Sequence, residues 1–83
     1  MGKHYPPLDR SQVESILKKA GFYEKRHKAS SHSQWEGYVD GVRRIVTVDH
    51  LGGSLKEKYG HSLINKMIQQ SGMTKDAFYS LMK

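Results

Sequence analysis

Apolar positions recur along this chain with two different periods, and the change of period marks out its elements. Val13, Ile16, Leu17 and Ala20 fall at i, i+3, i+4 and i+7, a spacing that puts all four on one face of a helix. Asp9 or Ser11 can cap its start, the latter with Glu14 three residues on as a capping box, and Gly21 stands where such a helix stops. Ahead of it, Pro6 and Pro7 end an extended lead-in over residues 1–7. From Phe22 the helical period is lost. Residues 22–27, 31–39 and 42–48 read as strands, the last two joined by Asp40-Gly41, whose tolerance of positive φ favours a two-residue type I′ hairpin. Without a bulge, that hairpin sets Trp35 opposite Val46 and Ser33 opposite Val48 on one face. Side chains alternate along a strand, so His32, Gln34 and Glu36 share the other face with Arg43, Ile45 and Thr47. His32 is therefore expected to point away from the core.

Residues 49–59, with Gly52 and Gly53, read as a loop. A second helix starting at or near Ser62 carries Leu63, Ile64, Met67 and Ile68 as a buried stripe and ends at Gly72. Thr74 then caps a short C-terminal helix bearing Ala77, Phe78, Leu81 and Met82. These stripes read as core, not as a cofactor box. One helix, three antiparallel strands and a second helix predict a single α+β domain over residues 1–83, with helices on one sheet face and a short extra helix at the end.

Composition narrows the functional classes. A chain of 83 residues buries only about 60–65% of the surface its unfolded form exposes, so a site on it is shallow and open and suits a polymeric ligand. The absence of cysteine excludes a disulfide framework, a thiolate nucleophile and a cysteine zinc site. No apolar run is long enough for a signal peptide or a membrane span, so a cytoplasmic protein with no membrane partner is expected. Fourteen Lys and Arg against eight Asp and Glu give a net charge of +6, which favours a polyanionic partner. The bases cluster: Lys18, Lys19, Lys25, Arg26 and Lys28 stand against Glu24 alone, and Arg43 and Arg44 follow on the hairpin. The histidines His4, His27, His32, His50 and His61 show no metal-ligating spacing, so no metal or other cofactor is expected.

Within this basic setting the stretch Lys28-Ala29-Ser30-Ser31-His32-Ser33-Gln34-Trp35 carries the candidate chemistry. Imidazole, with an unperturbed pKa of about 6.5, is the side chain best suited to move protons near neutral pH. The run Lys19-Ala20-Gly21-Phe22, then Arg26-His27-Lys28, Ser31-His32-Ser33-Gln34-Trp35, Arg44-Ile45-Val46-Thr47-Val48 and finally residues 63–72 resembles the HicA-type toxins of HicA/HicB toxin–antitoxin systems. The resemblance covers residues 5–82 and implies a double-stranded-RNA-binding-domain-like fold, α-β-β-β-α, in an mRNA interferase inhibited by a HicB-like antitoxin. Those toxins carry their catalytic histidine in a Gly-Ser-His motif after the first strand. The corresponding residues here are Ser30-Ser31-His32, which sets His32 at the catalytic position and serine in place of the glycine. His50 matches, more weakly, a second histidine some members have after the third strand.

The chemistry fits residues of these types. RNA supplies its own nucleophile, the 2′-hydroxyl, so a protein need only move its proton and stabilise charge on the phosphorus centre. His32 is then the acid/base, Arg26 and Lys28 bind phosphate, Ser31 donates a hydrogen bond, and the substrate is single-stranded mRNA. Trp35 can stack on a base, although its inward strand position favours the core. Two readings of other classes compete. One is an RNA-binding module without catalysis. The other is a helix-turn-helix DNA-binding protein built on residues 68–78, whose second helix is short and rich in Phe78, Leu81 and Met82.

Overall fold

The computed structural model describes residues 5–25, 32–49 and 58–82. In chain order these form α1 (Arg10–Lys19), β1 (Tyr23–Glu24), β2 (His32–Val39), β3 (Val42–Asp49), α2 (His61–Ser71) and α3 (Lys75–Ser80). The strands pair antiparallel in the order β1-β2-β3, giving a small α+β domain whose three-stranded sheet is flanked by helices.

At the start of α1 the cap is Asp9. Its carboxylate accepts the Gln12 backbone N–H at 2.8 Å while the Gln12 side chain accepts the Asp9 N–H at 2.9 Å, a reciprocal capping box. The alternative box from Ser11 to Glu14 does not form, because Glu14 pairs one turn back with Arg10 at 3.0 Å. Burial works to raise the Asp9 pKa, but the N–H of Gln12, the Ser11 hydroxyl and nearby Lys58 outweigh it and hold the carboxyl below its ordinary value.

The hairpin follows the sequence. Asp40 and Gly41 take φ of 53° and 79°, the two positive values a type I′ turn requires, and the register sets Trp35 against Val46 and Ser33 against Val48. Of the predicted first strand, Tyr23 and Glu24 form β1 among the described residues. Its two residues are both exposed, and beyond them the Lys25 N–H continues the ladder to the Gln34 carbonyl at 2.8 Å. Residues 26 and 27 of that predicted strand lie outside the described residues.

On its inner face the sheet presents Trp35, Val46 and Val48 to Val13, Ile16 and Leu17 of α1, to Ile64, Met67 and Ile68 of α2, and to Phe78 of α3. Trp35 is 2% exposed, which places it in the core and removes it as a stacking platform for a base. Phe22 lies flat over Gly37, where an added Cβ would come within 2.7 Å of the ring. α2 begins at His61, one residue before Ser62, with Gly60 as its N-cap. In α3, capped by Thr74 as expected, Phe78 alone is fully buried; Tyr79 and Leu81 pack partly against the core, Ala77 is exposed, and Met82 is exposed beyond the end of the helix at Ser80. The end of the lead-in is tied down by the Tyr79 hydroxyl, which donates to the Pro6 carbonyl at 2.9 Å, and by the Tyr59 N–H, which donates to the Leu8 carbonyl at 2.9 Å. Among the described residues no helix is long and apolar enough to cross a membrane.

Candidate functional site

His32 opens β2 and stands directly opposite Asp49, the last residue of β3, so both side chains leave the same, outer face of the sheet. His32 Nε2 and Asp49 Oδ2 are 3.6 Å apart, with the imidazole half exposed. Hairpin parity alone brings about this pairing, because the type I′ turn at Asp40-Gly41 sets the register of every pair behind it.

A cleft of about 230 Å³ opens where this end of the outer face meets α2; beside His32 and Asp49 it is lined by Thr47, Leu63, Lys66, Met67 and Gln70. The position of α2 is held by side-chain contacts. The Gln70 carbonyl accepts the outward Thr47 N–H of β3 at 2.9 Å, which satisfies a donor on the sheet edge and fastens the helix to the strand. The hydroxyl of buried Tyr59 donates to the Asp49 backbone carbonyl and so pins the end of β3. Burial pushes the Tyr59 pKa up to about 12.

Of the residues singled out from sequence, the structure describes His32; Arg26, Lys28 and Ser31 lie outside the described residues, as does His50. What it adds is Asp49 and Lys66. Lys66 sits on α2 between Leu63 and Gln70, on the helical face that borders the cleft, and supplies an exposed cation to the cleft that His32 also lines. Leu63, expected in the buried stripe, is half buried because it forms part of this cleft wall. The only signal for Lys66 in the sequence is its helical spacing from Leu63 and Gln70, and that spacing does not say what the face meets. Among the described residues no three His, Asp or Glu side chains converge as a metal site would need.

Further along the same outer face, Glu36 is nearly buried although it points away from the core. The reason is its neighbours: Arg43 Nε donates to Oε2, Lys25 Nζ lies 3.6 Å from Oε1, and the Tyr23 hydroxyl also bonds the carboxylate. The Arg43 hydrogen bond is the chief cause that holds the Glu36 pKa below its ordinary value, and the carboxylate in turn raises that of Tyr23.

No family model, curated protein or solved structure matches the chain. What the arrangement can do chemically therefore rests on the residues themselves. A histidine with a carboxylate at its ring nitrogen and a lysine across an open cleft can move a proton and stabilise an anion, on a ligand large enough to reach beyond the cleft.

Proposed function

We propose that this chain is a HicA-type toxin: a metal-independent endoribonuclease that cleaves mRNA in the cytoplasm, on a double-stranded-RNA-binding-domain-like scaffold. The observation that carries the reading is the placement of His32 on the exposed sheet face, 3.6 Å from Asp49 and in one cleft with Lys66. In the proposed step the 2′-oxygen attacks the adjacent phosphorus while His32 accepts its proton. The bond from phosphorus to the 5′-oxygen breaks, and the imidazolium returns a proton to that leaving oxygen. A 2′,3′-cyclic phosphate and a 5′-hydroxyl end result. Lys66 offsets the charge that accumulates on the phosphoryl oxygens, and Asp49 acts as a positioning residue that sets the direction of the imidazole ring. Arg26 and Lys28, with Ser31, hold the flanking phosphates.

A site this open on so small a domain is best silenced by a partner that covers it. A HicB-like antitoxin with an acidic surface fits a chain of net charge +6, and charge complementarity would speed its association and make binding weaken with salt. The deciding experiment incubates purified protein with single-stranded RNA in EDTA. Cleavage to cyclic-phosphate ends is expected, with His32→Ala lowering the rate about 10²- to 10⁴-fold while RNA binding survives. Intact RNA bound by the wild-type protein would make the chain a binding module without catalysis; undiminished cleavage by a folded His32→Ala protein would remove the histidine from the chemistry.

A further inference from the structure

The outer sheet face carries two large rings in the open. Tyr23 on β1 and Tyr38 on β2 are 55% and 63% exposed. Tyr23 stands opposite Glu36, and Tyr38 lies on the same side of β2 as Glu36 and His32, so both rings share the face of the candidate catalytic histidine. Along β2, His32 and Tyr38 are about 20 Å apart at roughly 3.3 Å per residue, a span of a few nucleotides. Between the rings the Glu36 carboxylate takes hydrogen bonds from the Tyr23 hydroxyl and from Arg43, so the Tyr23 ring is tethered by its far end and arrives pre-oriented. Arg43 and Lys25 bring two cations to the same place.

We propose that this face is a stacking platform for single-stranded RNA, in which Tyr23 and Tyr38 each take a base of the strand whose phosphate enters the His32 cleft. The inference rests on the reading of that cleft as an RNA site and adds its substrate contacts. Two features of the face select RNA over a protein partner. Protein interfaces are depleted of charge at their centre, whereas here the centre is the ion cluster of Lys25, Glu36 and Arg43 and the aromatic rings flank it. Exposed rings interleaved with cations are what unpaired bases bind, because every base offers a face to stack and its backbone a charge to meet. A duplex, with its bases already stacked on one another, gains nothing from such rings.

The test uses the His32→Ala protein, so that RNA survives, and follows the anisotropy of a fluorescein-labelled single-stranded RNA and of the same RNA annealed to its complement. Tyr23→Ala and Tyr38→Ala are each expected to weaken single-strand binding about five- to hundredfold and to leave duplex binding unchanged, while Tyr38→Phe retains wild-type affinity. Because both side chains are more than half exposed, circular dichroism should match the parent, and any drop in melting temperature should be confined to Tyr23→Ala, which gives up the bond to Glu36. Single-strand affinity within about twofold of the parent in both alanine variants overturns the platform, and so does loss in those variants of binding to an acidic protein alone. Loss of RNA affinity in the alanine variants, when the wild-type protein leaves RNA intact, sustains the platform and removes the nuclease reading; cleavage by the wild-type protein with unchanged affinity in the alanine variants does the reverse.

Discussion

His32 and Asp49 meet because a two-residue turn eight positions away from each sets their register, which makes the pair sensitive to chemistry at single atoms. Replacing Asp49 by Asn keeps the size of the side chain and removes its charge. If Asp49 positions the imidazole, Asp49→Asn lowers kcat and leaves KM nearly unchanged, because the loss falls on the transition state and not on substrate binding. Lys66→Ala should act differently. An exposed cation beside the phosphate contributes to holding RNA and to stabilising the developing charge, so kcat/KM should fall by roughly tenfold to a hundredfold, with the larger effect at low salt. Steady-state kinetics on one RNA substrate at two ionic strengths separates the two residues. Equal losses in kcat and KM for both variants would deny Asp49 its positioning role. Of these residues, His32 stood out in the sequence because an acid/base in a basic stretch is a local signal. Lys66 did not, since nothing in residues 61–71 says which strand the helix will lie beside.

At the scale of elements, the packing of Phe22 against the sheet depends on one missing methyl group. An alanine at position 37 would put its Cβ 2.7 Å from the Phe22 ring, well inside van der Waals contact, so the ring or the strand must move. Overpacking of this kind costs about 1–3 kcal/mol, and Gly37→Ala should show it as a lower denaturant midpoint with an unchanged m-value. A midpoint equal to wild type would mean that Phe22 has room to shift. The tight approach also explains where β1 starts. Phe22 is the last buried side chain before the strand, whose own two residues are both exposed. Of the predicted strand over residues 22–27, Tyr23 and Glu24 are strand, and residues 26 and 27 lie outside the described residues. The choice of cap on α1 was ambiguous in the sequence: Asp9 and Ser11 both satisfy the local pattern, and the preference of Glu14 for Arg10 decides between them.

For the molecule as a whole, Tyr59 joins three parts that are distant in sequence. Its N–H bonds the Leu8 carbonyl before α1, its hydroxyl bonds Asp49 at the end of β3, and its ring is buried in the shared core. A buried phenol cannot ionise easily, so its folded pKa of about 12 lies above the ordinary value of 10.0. Above pH 10 the unfolded chain loses this proton first. The stabilisation is therefore whole below pH 10 and is lost as the pH rises through about 12, a change on the order of 2 kcal/mol. Tyr59→Phe removes the ionisation together with the hydrogen bond. It should be less stable than wild type at pH 8 by about 1 kcal/mol, and the gap should close as urea midpoints are followed into the alkaline range. A gap that stays constant with pH would show that the phenol is accessible to water.

Local interactions suffice to specify much of this protein, and the sequence alone therefore determined it: the element order, the hairpin and its register, the inward Trp35 and the outward His32. Periodicity and turn chemistry act over a few residues, and a period of two leaves each strand position only one of two faces. Tertiary structure decided what those faces meet. Glu36 points outward by parity yet is nearly buried, because Tyr23, Lys25 and Arg43 arrive from the two neighbouring strands to cover it. Lys66 reaches the histidine's cleft only because α2 packs along β3, fastened by Gln70 on the Thr47 N–H. Where a helix rests on a sheet depends on how side chains from remote segments interlock and on which edge donors find acceptors, and a local period carries neither.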